Sequence, residues 1–545
     1  MEEISTDILV VGSGLAGIAS ALEAEKSGLQ TLMVGKFSIG MGTNTSLANG
    51  LFTVSNSLFP KDRHLKATLD AGRGLNSLRM VKALIEKGPE AMETLKGYGV
   101  PLVERETGYR VDRPEGSSQL PGVLLIKTLL QKVRATSIRS LPGWVIFNVV
   151  VDDGKALGGF GFLRDGRPCL IRAKAVILAT GGAGAMYRRN DNQRSILGDG
   201  YAIALRAGLP IFDLEFVQFF PFALAEPGLS TFMLFPPYPK EIRLFSHKGE
   251  DLLEKLGIGR DFNRFLSSQR DRLSIALCEE GRGGDVYFDL TRVPAEAWER
   301  YPLNFLRKSR FPFHEKPFLV SPAVHFCMGG VETDEMGQTA LPGLFAAGEA
   351  AWGVHGANRH GGNALTECAV FGGMAAQSAV EYARRTERAT ASEALNRRWE
   401  KRAKEYLKKK RGGFDHPRDL LRDMKELTWK YAGPAREEDS LREGLARLDL
   451  LDRKIEKVYP AALNDLFKKR DLENTALLLR AILKGSLLRT ESRGSFFRGD
   501  FPQPPEPPHP PSSLHSPHPD DGQKLENTCY RLENGELQIT HRPAG

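Results

Sequence analysis

Cysteine and long apolar runs are scarce in this sequence of 545 residues. The five cysteines are scattered and none forms a Cys-x-x-Cys pair, which disfavours an iron–sulfur cluster or a zinc site within the chain. No apolar run approaches the ~20 residues of a membrane-spanning helix. The acidic residues 2–3 lead straight into an apolar segment, so the sequence predicts no secretory signal. These absences predict a protein of the reducing cytoplasm.

The net charge of +8 is unevenly distributed, with a strongly basic region at residues 397–402 and 408–411. This region is either a solvated helix face or a docking face for an acidic partner or a membrane surface. No feature of the sequence indicates nucleic-acid binding, so we expect none.

A glycine motif, Gly12-x-Gly14-x-x-Gly17, follows Asp7 and the apolar residues 8–11 and opens an alanine-rich segment. The first glycine permits a tight turn out of a strand, the second lets a pyrophosphate approach the backbone, and the third lets helix and strand pack closely. The helix that follows would present free N–H groups and the positive end of its dipole to phosphate. The motif therefore predicts a dinucleotide site that includes Gly12, Gly14, Leu15, Ala16 and Gly17.

The acid that commonly binds the ribose of NAD is missing from its expected place. Residues 28–34 read as a second parallel strand, and the strand ends at Gly35-Lys36 instead of at an aspartate or glutamate. Two later apolar segments, residues 173–182 and 343–349, also run into glycine turns. An extended FAD must be held by segments far apart in sequence, so this pattern favours FAD over NAD.

Other elements follow from periodicity. Residues 76–97 have helical spacing, which Gly88-Pro89 is expected to break into two shorter helices. A further helix is predicted at residues 124–133, and a β pair at residues 145–151 and 158–163.

We therefore expect an α/β protein with a split Rossmann-like FAD-binding domain, an inserted α+β capping domain and a C-terminal helical domain. The insertion is rich in Phe, Pro and Arg, and a lid in that position would exclude water from a flavin. A Pro-rich stretch that begins at Pro502 predicts a linker or surface strap before a small β-like piece. The predicted units are residues 1–220 and 321–388 (FAD-binding), 221–320 (capping), 389–500 (helical) and 501–545 (strap and tail).

Several blocks of the sequence, taken together and in this order, resemble the flavoprotein subunits of succinate dehydrogenase and fumarate reductase. L-Aspartate oxidase belongs to the same superfamily. The blocks are residues 12–17, 179–182, 198–200, 213–218, 322–334, 343–349, 355–365 and 489–494.

The resemblance implies bound FAD, a capping domain over its isoalloxazine, and hydride transfer between flavin N5 and a carbon next to a carboxylate. It implies that Arg270 handles the proton on the neighbouring carbon and that His325 and Arg359 bind the carboxylate. Glu349 is expected near the ribityl or ribose part of FAD. The predicted FAD-binding residues outside the first glycine motif are Lys36, Asn44, Thr45, Ser46, Asn49, Gly50, Ala179, Thr180, Gly181, Gly182, Asp199, Gly348, Glu349, Asn363, Ala364 and Leu365.

The sequence departs from the family pattern at the second carboxylate site. Phe220 stands where the family has a histidine, and Phe222 replaces a threonine, although a cluster of phenylalanines is also typical of a core. The acid and arginine that relay protons to the catalytic arginine are not visible. Asn44 occupies the position of the histidine that attaches FAD covalently in some members, so we predict noncovalent FAD.

A phenyl ring cannot bind a carboxylate, so plain fumarate or succinate becomes doubtful. A substrate with one carboxylate-like end and one apolar or bulky end fits better, with electrons exchanged with a separate iron–sulfur or other redox protein. That partner could hold the chain at a membrane. Two alternatives stay open: a non-catalytic FAD relay protein within a larger redox complex, and an oxidase that is reoxidised by O2 alone.

Overall fold

The computed structural model describes residues 1–114, 117, 119–258, 262–300, 302–307, 311–387, 393–408, 415–460, 462–502 and 525–544.

The central sheet is parallel and five-stranded, as expected for a dinucleotide-binding fold. Its order is Leu344–Ala346, Ala175–Leu178, Ile8–Val11, Thr31–Gly35 and Arg139–Pro142. The strands predicted at residues 7–11, 28–34 and 173–182 are thus confirmed. Helix Leu15–Glu25 packs so closely on helix Asn363–Arg385 that the hydroxyl of Ser20 donates to the carbonyl of Gly372 at 2.8 Å.

Two smaller sheets flank this core. Strands Glu2–Ser5, Pro168–Arg172, Lys155–Leu163 and Trp144–Asp152 form one, which confirms the predicted β pair. Strands Leu51–Thr53, Gly108–Val111 and Leu102–Arg105 form the other. The accompanying helices are Asn44–Leu47, Lys61–Gly72, Leu78–Gly97, Pro121–Arg134 and Asp199–Arg206, and the fourth of these confirms the helix predicted at residues 124–133.

The predicted break at Gly88-Pro89 is wrong, because residues Leu78–Gly97 form one helix with Pro89 inside it. Proline removes one backbone donor. The buried face that contains Met80, Leu84 and Met92 nevertheless continues across it. Tertiary packing of this face outweighs the local preference of the proline.

An antiparallel sheet with its own core forms the inserted region. Its order is Val217–Leu224, Phe318–Cys327, Val286–Asp289 and Arg243–Ser246, so it reaches a few residues beyond 221–320 at both ends. Helices Leu252–Lys255, Phe262–Gly283 and Leu303–Arg307 accompany it, and its core is rich in phenylalanine. Together with the parallel central sheet, this inserted region confirms the expected mixed α/β fold.

Helices dominate the part of the chain after residue 392. They are Glu393–Leu407, Pro417–Tyr431, Glu438–Ile455 and Leu463–Leu488. Short strands Ala435–Arg436 and Phe497–Arg498 pair with each other. The basic residues 409–411 and the Pro-rich residues 503–524 lie outside the described residues.

The terminal β piece is a hairpin, Glu526–Glu533 and Glu536–Pro543, which extends a sheet formed with Ile211–Phe212 and Gly330–Val331. In the described ranges, no helix combines the length and apolarity needed to cross a bilayer.

A buried ionic network fastens this hairpin to the rest of the protein. Glu215 is fully buried and accepts hydrogen bonds from Arg489 (2.9 Å), Thr528 (2.5 Å) and Tyr530 (2.5 Å). Asp213 lies 3.6 Å from the same guanidinium, and burial raises the pKa of its carboxyl to about 7. Arg489 is therefore the cation that makes two buried carboxylates tolerable.

Replacing Arg489 by leucine should lower the free energy of unfolding by about 3–5 kcal/mol, because the two carboxylates lose their counter-charge. Arg489 opposes the rise in the pKa of Asp213, so its loss should raise that pKa further above about 7. The folded variant then holds this proton more tightly than the folded wild type, and the deficit should grow as the pH rises through about 7. Urea unfolding at several pH values measures it.

The matched control is Glu438→Gln, which removes an exposed ion pair with Arg442 and should cost less than about 1 kcal/mol. Equal losses in the two variants would contradict the structural role of Arg489.

Candidate functional site

A cavity of about 910 Å³ lies at the carboxyl ends of the central parallel strands and continues under the inserted region. Its wall includes the first glycine motif, the loop after residue 36, residues 179–181 and several side chains of the inserted sheet and helix. Crevices at the carboxyl ends of parallel strands are the usual ligand sites of such sheets.

The first glycine motif has the geometry that the sequence predicts. Gly12 has a φ of +116°, and a Cβ there would lie 2.1 Å from the carbonyl oxygen of Ala179. A Cβ on Gly17 would lie 2.2 Å from the carbonyl oxygen of Gly12, so this glycine allows the helix to touch the strand. Gly14 caps helix Leu15–Glu25 without any side-chain cap, and it faces the cavity.

A buried hydroxyl beside this motif also points to a ligand. Among the residues that the structure describes, the Thr180 hydroxyl has no hydrogen-bond partner, and Thr180 lines the cavity. An unpaired buried hydroxyl is costly without a partner. Together with the helix start, where Gly14 has no side chain to cap the N–H groups, it fits a phosphate-bearing ligand.

Lys36 and Asp199 line the cavity but bind each other. The Lys36 ammonium lies 3.0 Å from Asp199 and 2.7 Å from Asp471. Burial alone would lower the pKa of Lys36, but the two carboxylates outweigh it and raise that pKa. Asp199 also accepts a hydrogen bond from Asn474 at 2.8 Å. Most of the charge of both residues is therefore compensated within the protein.

The predicted loop at residues 44–50 forms part of the wall. The Asn44 amide donates to Asn192 at 2.6 Å and accepts from the backbone of Gln193 at 2.9 Å. The Thr45 hydroxyl accepts from the Leu15 backbone at 3.0 Å, which fixes the loop to the first helix. Asn49, Gly50, Gly181, Ala364 and Leu365 line the cavity as well.

Some predicted residues lie behind the wall instead of on it: Gly17, Ser46, Gly182, Gly348 and Asn363. Their positions have packing reasons. A Cβ on Gly182 would lie 2.4 Å from Glu349, and Gly348 has a φ of +68°. The Asn363 amide links His64 and Thr68 at 2.9 and 3.0 Å. These residues support side chains or backbone that face the cavity.

Glu349 lines the cavity and accepts a hydrogen bond from the backbone of Cys327 at 3.1 Å. Burial raises the pKa of its carboxyl to about 7. Glu349 is therefore positioned to contact a ligand in the cavity, as predicted. With a pKa of about 7, its carboxyl changes its protonation state near neutral pH.

Arg359 is 5% exposed and has no carboxylate within ion-pair distance among the described residues. The guanidinium donates to the Gln218 amide oxygen at 2.9 Å and lies 4.9 Å from the ring centre of Phe326. Burial, followed by the neighbouring charge of Arg270, lowers the pKa of Arg359 to about 9. Glu367, a possible structural partner, pairs instead with His355 at 2.9 Å.

Arg270 lines the same end of the cavity. It follows a kink at Gln269 in helix Phe262–Gly283, and its guanidinium lies against Gly361, where a Cβ would be 2.9 Å away. Desolvation lowers the pKa of Arg270 despite the opposing charge of Asp271. Two guanidiniums thus share one end of the cavity without a protein anion in contact with either in the described part of the chain.

His325 joins this end from strand Phe318–Cys327. Its Nδ1 lies 2.8 Å from the carboxylate of Asp191, which leaves Nε2 available to the cavity. The sequence analysis missed Asp191, because only the fold brings residues 134 positions apart together. His360 also lines the cavity, and burial lowers its pKa to about 3, so it is neutral there.

The phenylalanines of strand Val217–Leu224 divide between the core and the cavity. Phe219 and Phe222 are buried in two separate cores, as their clustering suggests. Phe220 lines the cavity, with its ring centre 6.2 Å from that of His325. His325 and His360 are the histidines of the cavity wall in the described part of the chain.

Comparison with known proteins gives two family matches. Residues 7–365 match the FAD binding domain family, and residues 421–544 match the fumarate reductase flavoprotein C-terminal family. The chain belongs to the fumarate reductase and succinate dehydrogenase flavoprotein family. It is therefore an FAD-dependent oxidoreductase, and the residues of its cavity fit FAD.

Relatives cover most of the chain. A subunit of the fumarate reductase (CoM/CoB) of Methanothermobacter marburgensis is 31% identical, with 91% of this chain and 94% of that protein covered. An L-aspartate oxidase 1 of Ralstonia nicotianae is 32% identical, with 91% and 96% covered. A protein of Methanocaldococcus jannaschii that is named as an uncharacterized FAD-dependent oxidoreductase is 30% identical, with 92% of this chain and 94% of that protein covered.

Solved structures agree on the fold. A quinol-fumarate reductase with menaquinol molecules matches with a TM-score of 0.86 at 26% identity, with 100% of this chain and 99% of that chain covered. The Sdh1 complex of Mycobacterium smegmatis in the apo form matches with a TM-score of 0.82 at 27% identity, with 100% and 94% covered.

Acid precipitation of the purified holoprotein should leave the yellow flavin in the supernatant. Asn44 carries an amide that is held by Asn192 and Gln193 and is a poor nucleophile for flavin attachment. Visible absorbance of the supernatant and of the redissolved pellet measures the outcome. Colour that stays with the pellet would contradict noncovalent binding.

Proposed function

We propose that this enzyme transfers a hydride between flavin N5 and a carbon of an organic substrate with an anionic group, and that plain fumarate and succinate are not its main substrates. The observation that carries the proposal is the pair of guanidiniums, Arg270 and Arg359, at one end of the cavity. Neither has a carboxylate in contact among the described residues. A substrate anion would supply the missing counter-charge.

Arg359 and His325 would hold that anion. The fork of a guanidinium matches the two oxygens of a carboxylate. Gln218 fixes the guanidinium by accepting at 2.9 Å, and its amide nitrogen donates to Asn358 at 2.7 Å. Asp191 orients His325 through Nδ1, so that Nε2 faces the same anion and donates to it when the ring carries both protons.

Arg270 would move the proton. Bound FAD supplies or accepts the hydride at N5. Arg270 gives a proton to the neighbouring substrate carbon or takes one from it, so that a carbon–carbon double bond is reduced or formed. Its pKa is lowered by desolvation, which makes its guanidinium a better acid than in water.

A separate redox protein would exchange electrons with the flavin. The proposal is supported by relatives whose names describe parts of larger enzymes, such as the fumarate reductase subunit of M. marburgensis and the Sdh1 complex of M. smegmatis. An iron–sulfur protein is one candidate for the partner, and it would also account for an association with a membrane.

A relay protein without substrate chemistry is the second candidate. It is favoured by one observation: Phe220 lines the cavity at the position where the family resemblance predicts a histidine. The two functions differ in what reduces the flavin, since a relay protein requires its partner and an enzyme requires only its substrate.

Anaerobic titration of the isolated holoprotein with a panel of carboxylates, thiols and acyl-CoA esters should bleach the flavin with at least one anionic reductant. Arg359→Gln should weaken that ligand by about 10- to 100-fold, since a hydrogen bond to a charged group contributes ~1.5–3 kcal/mol. The control is Arg79→Gln, on the exposed surface, which should change nothing.

Bleaching only after addition of a redox partner would favour the relay protein. Release of peroxide in air, without a partner, would favour an oxidase.

A further inference from the structure

We propose that the substrate is an amphipathic monoanion, with one carboxylate-type head and an aryl or branched apolar body. This inference rests on the proposed function and names its substrate class. The head and the body would bind to two walls of the same cavity that differ sharply in character.

The wall that would bind the head consists of Arg359, His325 and Arg270. Arg359 is fixed by Gln218, and His325 is fixed by Asp191. Arg270 completes the wall from the inserted helix. These groups lie near one another, since Arg270 and Asp191, the partner of His325, both act on the charge of Arg359, and one anion could contact all three.

A second part of the cavity wall, formed by the inserted region, is apolar. Its side chains come from strand Val217–Leu224, from residues 232–235 and from helix Phe262–Gly283, and they are Phe220, Phe232, Met233, Phe235 and Leu266.

The polar atoms of that apolar wall are neutral and largely engaged. Thr231 contributes one hydroxyl. Both ends of the Asn263 amide are engaged, since it accepts from the Tyr238 backbone and donates to it at 2.8 Å each. Among the side chains that the structure describes, none in this part of the wall would supply a cation to a second carboxylate, whose burial would then be unfavourable.

The remaining cations of the cavity lining do not alter this conclusion. Lys36 is paired with Asp199 and Asp471. Arg63 and Arg105 are exposed at the cavity edge, where charges interact weakly because water screens them.

The apolar wall is built into the fold. The segment that carries Phe232 and Met233 pairs with strand Val217–Leu224: the Leu224 backbone donates to Phe232 and the Leu234 backbone donates to Phe222, each at 2.9 Å. Phe220 belongs to the core of the inserted sheet and is 6% exposed, yet it reaches the cavity. A preformed apolar surface of this kind binds aromatic or branched groups with little ordering cost.

The test compares two probes on the oxidised holoprotein: cinnamate, a carboxylate with a phenyl body, and fumarate, a dicarboxylate. Binding is followed by the perturbation of flavin absorbance. Cinnamate should bind at least tenfold more tightly than fumarate. Phe220→His should weaken cinnamate and strengthen fumarate, so that the ratio falls at least tenfold.

Phe245→His is the matched control. Phe245 belongs to strand Arg243–Ser246 of the same sheet, stacks on Tyr287 at 5.4 Å between ring centres, and does not line the cavity. The cinnamate-to-fumarate ratio should be unchanged in this variant. Phe220→Leu, which keeps the wall apolar, should also preserve the preference.

A wild-type ratio below tenfold would overturn the inference while leaving the anion site intact, provided that Arg359→Gln weakens both probes. If neither probe perturbs the flavin, the anion site itself fails and the proposed function fails with it. Insensitivity of the ratio to Phe220→His, in a variant that still binds FAD, would also overturn the inference.

Discussion

Two buried guanidiniums, with no protein carboxylate in contact with either among the described residues, are the central feature of this cavity. Arg270 and Arg359 lie at one end of it. Burial lowers the pKa of both guanidiniums, and the charge of Arg270 lowers that of Arg359 further. Such an arrangement is unfavourable unless something compensates for it. The family places FAD in this cavity, and an anionic substrate beside it is the missing partner.

The rest of the structure holds these groups in position. Gln218 and His325 lie on neighbouring antiparallel strands, so one sheet supplies both a brace for Arg359 and a second anion-binding group. Arg270 comes from the helix packed on that sheet. The buried network around Glu215 lies three residues before Gln218 and ties the same segment to the C-terminal hairpin. Packing far from the cavity therefore supports its chemistry.

Much of the fold could be predicted from the sequence because its signals are local. The spacing of the glycines at 12, 14 and 17 predicts a tight turn between a strand and a helix, and the structure has that turn. The predicted break at Pro89 is wrong. The effect of a proline on a helix can be seen in the local sequence, whereas the packing of the buried helix face, which outweighs it, depends on the rest of the fold. The braces Asp191 and Gln218 could not be predicted as partners, since 134 and 141 residues separate them from the side chains they orient. The pairing of Lys36 with Asp471 is equally remote in sequence.

The most direct test of the central claim is to locate an anion at the paired guanidiniums. We would soak crystals of the holoprotein, free of substrate, in bromide and measure anomalous scattering. The structure predicts a bromide peak in contact with both Arg270 and Arg359. A carboxylate of the protein in that position, with no bromide peak there, would contradict the claim.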